Sequence, residues 1–93
     1  MEDIVPTKFE IAQNYPNPFR EKTTIKYCVS DRMKIRLEVF NSQGNKVKTL
    51  IDEIKEAGTY KVEFDVENFE SGEYLYKLES RDYFESKKMI LLR

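Results

Sequence analysis

The chain has 93 residues, 40% of them hydrophobic and 35% charged, and its sixteen basic and seventeen acidic side chains leave a formal charge of −1. A chain of this length forms one domain, and its interleaved charges give no electrostatic basis for binding nucleic acid or an anionic membrane surface. It contains no histidine, which excludes every His-dependent catalytic triad and zinc motif. We expect no transmembrane segment, because no stretch approaches about 20 apolar residues. We also expect no cofactor.

Alternation of apolar and polar residues, which indicates strands with one buried face, continues along almost the whole chain. We interpret residues 1–6 as a linker or chain start and residues 7–93 as the domain. In chain order, the predicted strands cover residues 8–11, 23–29, 34–40, 46–51, 59–65, 73–79 and 84–92. Inward-facing positions are Ile25, Tyr27, Val29, Ile35, Leu37, Val39, Tyr60, Val62, Phe64, Tyr74, Tyr76 and Leu78, whereas Lys34, Arg36 and Glu38 are expected on a wet face. About seven antiparallel strands without a helix predict an all-β, immunoglobulin-like β-sandwich.

Two connections carry specific structural signals. Residues 41–45 predict a hairpin turn, since Gly and Asn tolerate positive φ. Gly72 and Tyr74 at a strand start resemble a tyrosine corner, in which the phenol bonds back to the backbone of the preceding connection.

Possible chemistry is confined to acidic loops and one thiol. We place Asp52, Glu53 and Glu56 in one loop, and Asp65, Glu67 and Glu70 in another. Paired carboxylates perform glycoside hydrolysis only when they face each other in a cleft, and calcium requires several converging oxygens. A small sandwich offers no evident cleft, so solvated surface is the favoured interpretation. Cys28, which cannot form a disulfide within the chain, is interpreted as a small filler and not a nucleophile.

Two segments do not fit the alternating pattern. Asn14, Tyr15, Pro16, Asn17, Pro18 and Phe19 form a stiff irregular connector. We expect it to brace the sandwich, with Tyr15 and Phe19 packed against it. The last strand ends in four consecutive apolar residues, 89–92, so both of its faces are expected to need cover. An apolar terminal edge strand with unpaired amides favours pairing with a partner, and the alternative is an ordinary buried last strand.

Six ordered blocks together resemble the C-terminal type A sorting domain of type IX secretion substrates. They are Phe9–Ile11 with Gln13–Phe19, Thr23–Tyr27, Val39–Asn41 with Gly44, Ala57–Tyr60, Ser71–Tyr76 and Lys87–Arg93. The order and spacing of the blocks extend over nearly the whole chain. Departures occur at Glu21-Lys22 and at Val66-Glu67-Asn68, both in connectors.

The resemblance implies a non-catalytic tag at the end of a larger exported protein of Bacteroidetes-like bacteria. Such a tag directs its N-terminal cargo from the periplasm across the outer membrane to the cell surface or extracellular space. The implied partners are the type IX secretion machinery and its sortase-like peptidase, and the cargo is often attached to the surface.

The same resemblance implies two sets of site residues. The recognition motif would be Lys87, Lys88, Met89, Ile90, Leu91, Leu92 and Arg93. The fold-defining residues would be Asn14 to Phe19 with Gly72 and Tyr74. Two alternatives remain open: an accessory module for adhesion, carbohydrate binding or a hook-capping-like structural role, and an enzyme that uses the acidic loops.

Overall fold

The computed structural model describes residues 8–66, 68–81 and 83–93. Within these ranges the chain forms seven strands and no helix. The strands are β1 (Glu10–Ile11), β2 (Lys22–Val29), β3 (Met33–Phe40), β4 (Lys46–Lys55), β5 (Gly58–Asp65), β6 (Gly72–Glu79) and β7 (Phe84–Leu91). The all-β prediction is confirmed. The proposed linker at residues 1–6 and the loop residue Glu67 lie outside the described residues.

The strands form two antiparallel sheets, with the order β1-β2-β5 in one and β4-β3-β6-β7 in the other. This division is that of an immunoglobulin-like sandwich, in which the first, second and fifth strands face the third, sixth and seventh. The fourth strand lies here at the edge of the second sheet. Consequently β4 and β5 are the two edge strands on one side of the sandwich, and β1 and β7 are the edge strands on the other.

The core is built from the inward-facing side chains of both sheets. The fully buried set includes Ile25, Tyr27, Val29, Ile35, Leu37, Val39, Phe64, Tyr76, Leu78, Met89 and Leu91. Burying each such side chain contributes about 1.5–3 kcal/mol. Tyr60 and Val62, which were also predicted to face inward, are only half-buried, because they lie on the edge strand β5.

Strand β4 is longer than its sequence predicts. It continues to Lys55, so Asp52 and Glu53 lie on a strand and not in a loop. Asp52 pairs opposite Arg36, and its carboxylate lies 3.7 Å from Lys34 Nζ and 3.8 Å from Arg36 Nε. The charges that suggested a solvated loop are therefore cross-strand partners on an exposed sheet face.

The prediction that Glu38 lies on a solvent-exposed face is also wrong, because its side chain is buried. Its carboxylate accepts a hydrogen bond from Lys46 Nζ at 3.2 Å. The register of β3 with β4 shifts on both sides of this position, between Leu37 and Glu38 and between Val39 and Phe40. Such bulges increase twist and redirect side chains, which simple alternation along the sequence does not predict.

The turn between β3 and β4 has the predicted form. Asn41 Oδ1 accepts hydrogen bonds from the amides of Gln43 and Asn45, each at 3.0 Å. Gly44 has a φ of +87°, a conformation that is accessible to glycine at little cost.

Candidate functional site

The C-terminal strand β7 is an edge strand that pairs with β6 along its whole length. Side chains alternate between the two faces here: Met89 and Leu91 are fully buried, whereas Ile90 is 39% exposed and Leu92, directly after the strand, is 50% exposed. The expectation that both faces need cover is therefore wrong, because only one face packs against the core. The other face presents apolar side chains to solvent from a strand that is firmly held.

The outer edge of β7 is covered by the proline-rich segment, residues 13–19. The Phe19 amide donates to the Ile90 carbonyl at 3.0 Å, and the Leu92 amide donates to the Phe19 carbonyl at 2.8 Å. The Ile90 amide donates to Asn17 Oδ1 at 2.9 Å, and Gln13 Nε2 donates to the Lys88 carbonyl at 2.7 Å. The predicted unpaired edge is therefore already occupied over the terminal half of β7.

Buried hydrogen bonds hold the proline-rich segment in place. Asn14 is buried, and its Nδ2 donates to Thr23 Oγ1 at 3.0 Å and to the Pro16 carbonyl at 3.1 Å. The hydroxyl of Thr23 in turn donates to the same carbonyl at 2.8 Å. Because a buried polar group without a partner costs about 1–3 kcal/mol, this closed network specifies one conformation of the segment. The predicted bracing role is consistent with these contacts.

Phe19 and Tyr15, the two aromatic residues of the segment, behave differently. Phe19 is buried, and its ring centroid lies 6.2 Å from that of Phe64. Tyr15 is 80% exposed, so the expectation that it packs against the sandwich is wrong. Its backbone pairs with Thr24 through two hydrogen bonds of 2.9 Å, which fixes the main chain while the phenol points into solvent.

Tyr76, on β6 of the four-stranded sheet, connects that sheet to the proline-rich segment. The sequence predicted only that its side chain faces inward. Its hydroxyl donates to the Ala12 carbonyl at 2.7 Å and accepts from the Asn14 amide at 2.8 Å. Burial raises the pKa of Tyr76 to about 12. The phenol is therefore protonated at neutral pH and available to donate.

Arg93 closes the end of β7 onto the connection between β5 and β6. Its backbone amide donates to Ser71 Oγ at 2.8 Å, and its Nη1 donates to the carbonyls of Val66 at 3.3 Å and Phe69 at 3.2 Å. A role for this guanidinium in positioning a receptor therefore has to coexist with hydrogen bonds inside the domain.

The tyrosine corner lies next to this contact. Tyr74 donates its phenol proton to the Glu70 carbonyl at 2.7 Å, as the sequence predicted. Burial, followed by the nearby Glu70 carboxylate, raises the pKa of Tyr74. Gly72 has a φ of +153°, a backbone conformation that a side chain would strain.

The two lysines of the terminal motif each lie near one acid. Lys88 Nζ is 3.8 Å from a carboxylate oxygen of Glu73 on β6. Lys87 Nζ is 3.9 Å from a carboxylate oxygen of Glu85, which lies on β7 itself. Exposed pairs of this length contribute between 0 and about 1 kcal/mol. The ammonium group of the exposed Lys88 is therefore available to a partner at little cost to the fold, whereas Lys87 and Glu85 are both only partly exposed.

The other candidate chemistry is not brought together. An open cleft of about 700 Å³ lies at the end of the sandwich opposite Arg93. Phe9, Met33 and Tyr83 line it, and Glu79 is the one carboxylate among the described residues of its lining. Glu79 itself lies 3.8 Å from Arg36. Cys28 Sγ contacts Thr59 Oγ1 at 3.7 Å. Over residues 8–66, 68–81 and 83–93, no three carboxylate or thiol side chains converge on a common point.

The domain has the features of a recognition module. It is a small sandwich in which the edge of the terminal strand is hydrogen-bonded and a row of apolar side chains is exposed. The model of the family described as secretion system C-terminal sorting domain matches residues 13–92, and the chain belongs to that family. It is therefore a C-terminal sorting signal of type IX secretion, a family that is not known as catalytic. No curated protein and no solved structure matches the chain. None of the described residues lies in a helix long and apolar enough to cross a membrane.

Proposed function

We propose that this domain directs a larger exported protein across the outer membrane, and that the terminal motif Lys87 to Arg93 is what the secretion machinery reads. The domain comprises residues 7–93, residues 1–6 link it to its cargo, and the cargo is attached to the cell surface after a sortase-like peptidase removes the tag. The domain itself acts without catalysis. The observation that carries the proposal is the exposed apolar row, Ile90 and Leu92, on a strand whose other face is locked into the core.

The structure changes how this motif would be recognised. Strand addition needs free amides and carbonyls, but the amides of Ile90 and Leu92 and the carbonyl of Ile90 are bonded to Asn17 and Phe19. Recognition of the folded domain therefore proceeds through side chains: the apolar groups of Ile90 and Leu92 with the ammonium group of Lys88. Apolar anchors provide affinity, and a neighbouring charge contributes orientation and association rate.

The buried members of the motif have a different task. Met89 and Leu91 are fully buried, so we assign them to holding β7 in register and not to contacting a receptor. Alternate positions of this short motif therefore have different tasks: the buried ones stabilise the fold, and the exposed ones contact the secretion machinery.

The test uses a reporter that carries an export signal and is fused before this chain, expressed in a bacterium with type IX secretion. Replacing Ile90 and Leu92 by glutamate changes the exposed row and leaves the core intact. We expect the fused reporter to fold and remain in the periplasm. The matched control replaces Val47 and Ile54 on β4, which are 37% and 54% exposed, by glutamate as well. This fusion should be secreted like the parent.

Two kinds of measurement decide between the outcomes. Reporter activity is assayed in periplasm, at the surface and in the medium, and thermal unfolding of each isolated domain is recorded. A stable Ile90→Glu, Leu92→Glu variant that is secreted normally would overturn the assignment of the reading surface. Secretion of the parent fusion in a strain without type IX machinery would overturn the export function itself.

A further inference from the structure

Strand β5 is an edge strand whose free side is regular. It pairs with β2 residue for residue, from Gly58 opposite Val29 to Asp65 opposite Lys22, without a shift. Its neighbour on the same side of the sandwich, β4, carries two register shifts on its inner ladder. Bulges, short length and charges are the usual protections of an edge. β5 has eight residues and no register shift, so its charged side chains are the protection that it carries.

The hydrogen bonds of β2 show which groups of β5 face outward. Thr24 and Lys26 bond to Tyr15 and Ala12 on the other side of β2. Because backbone direction alternates along a strand, the groups of Thr23, Ile25 and Tyr27 face β5. Their partners there are Phe64, Val62 and Tyr60. The amides and carbonyls that point away from the sheet therefore belong to Thr59, Lys61, Glu63 and Asp65.

The charges along this edge are only partly balanced within the described part of the chain. Lys61 lies directly opposite Lys26, a like-charge pair that is unfavourable across strands. Within the described part of the chain, no acidic group lies within ion-pair distance of Lys61. Glu63, two residues along, is 4.0 Å from Lys22. The edge thus presents a cation and an anion on one face.

We propose that β5 pairs antiparallel with β5 of a second copy of this chain, about a two-fold axis at Val62. Lys61 then lies opposite Glu63 of the second copy, and by symmetry Glu63 lies opposite its Lys61. Thr59 meets Asp65 in the same way, and on the inner face Tyr60 meets Phe64. The outward-facing backbone groups supply about eight hydrogen bonds, and the two three-stranded sheets become one continuous sheet.

The charge pattern selects this register over its neighbours. A shift of two residues in one direction places Lys61 opposite Lys61 of the second copy. A shift of two residues in the other direction pairs Lys61 with Asp65 but places Glu63 opposite Glu63, a like-charge contact that the proposed register lacks. A shift of one residue sets outer-face side chains against inner-face ones, which a continuous sheet does not allow. Opposite charges on facing strands contribute about 0.2–1 kcal/mol per pair, and like charges destabilise the pairing.

The dimer is expected to be weak and to form at high concentration. Each copy contributes one strand, which is a small contact compared with the roughly 1,200–2,000 Å² of stable interfaces. Pairing also covers Tyr60 and Val62, the half-buried side chains of β5. This association is independent of the export role, so its failure would leave the proposed function unaffected.

Charge reversal tests the register. The 93-residue chain, Lys61→Glu, Glu63→Lys and the double variant are compared by sedimentation equilibrium in reducing buffer, which prevents disulfide formation through Cys28. The parent should dimerise with increasing concentration. Each single variant should dimerise at least tenfold more weakly. An equimolar mixture of the two single variants, and the double variant alone, should recover association, since both restore opposite charges.

A cross-link locates the contact. Carbodiimide joins an amine to a carboxylate without a spacer, so a mixture of ¹⁴N- and ¹⁵N-labelled chains should yield a Lys61–Glu63 peptide of mixed isotopes. A parent that remains monomeric at about 1 mM would overturn the proposal. So would single variants that dimerise like the parent, because the interface would then lie elsewhere.

Discussion

At the scale of single residues, two tyrosines fix the starts of two strands in the same way. Tyr60 donates to the Glu56 carbonyl and Tyr74 donates to the Glu70 carbonyl, each at 2.7 Å. The two stretches share the spacing Glu-x-Gly-x-Tyr, which ends at Tyr60 and at Tyr74. The sequence predicted only the second of these bonds. The repeated spacing is the signal that would have revealed the first.

The buried phenols also make stability depend on alkaline pH. Burial is the main cause that raises the pKa of Tyr27 to about 12, with Tyr60 and Glu53 adding to it, and Tyr76 has a similar value. An unfolded tyrosine ionises near pH 10. Between about pH 10 and 12 the folded state therefore binds more protons, so the free energy of unfolding is maintained below this window and falls as pH rises through it.

We expect Tyr27→Phe to reduce this alkaline loss. Each shifted tyrosine contributes a slope of up to about 1.4 kcal/mol per pH unit within the window, and phenylalanine has no proton to lose. The measurement is urea unfolding of parent and variant between pH 8 and 11. Equal slopes for the two proteins would show that Tyr27 ionises alike in the folded and unfolded states.

At the scale of elements, the terminal strand and the proline-rich segment form one unit although they lie at opposite ends of the chain. Asn17 and Ile90, which share a hydrogen bond, are 73 positions apart. The segment covers the backbone edge of β7 while leaving Ile90 and Leu92 exposed. It therefore blocks strand pairing by a partner and keeps the side chains of the terminal motif presented.

Replacing Asn17 by alanine should loosen this unit locally. The Ile90 amide loses its acceptor, at a cost of about 0.5–1.5 kcal/mol, and Phe19 still holds the neighbouring groups. We expect faster hydrogen exchange at Ile90, measured by NMR, with little change at Leu78 in the core. Tyr15→Ala is the matched control, because this exposed side chain is in the same segment. Unchanged exchange at Ile90 in Asn17→Ala would show that solvent replaces the side-chain acceptor without loss.

The sequence predicted the elements better than their contacts. Period-two alternation identified the strands and most of the core, because each of those inferences needs only local spacing. The covering of β7 by Asn17 and Phe19 was missed, since it depends on pairing between distant segments. The burial of Glu38 and the exposure of Tyr15 were missed for a related reason: bulges and irregular connections redirect side chains independently of the local pattern.

At the scale of the whole molecule, the two sides of the sandwich differ in how their edge strands are covered. On one side β1 and β7 lie under the proline-rich segment, which bonds to the outer edge of β7. On the other side, β4 is irregular, and β5 is regular with no described strand paired to its outer edge. The terminal motif therefore lies at the closed side, and any strand pairing with a second copy occurs away from it.

Removing β7 tests how far the sandwich depends on its last strand. A chain of residues 1–83 lacks Met89 and Leu91, whose loss from the core costs about 2–5 kcal/mol each, and it exposes the edge of β6. Domains are stable by only about 5–15 kcal/mol. We expect this chain to lose cooperative thermal unfolding and near-ultraviolet circular dichroism.

A peptide of residues 84–93 should restore both signals when it is added to the shortened chain. The same peptide with Met89→Asp and Leu91→Asp should not restore them, because its buried face is then charged. Cooperative folding of residues 1–83 alone would contradict the expectation. Because truncation removes the fold together with the motif, failed export of a truncated protein does not separate recognition from folding. Only substitutions on the exposed row, such as Ile90→Glu and Leu92→Glu, make that separation.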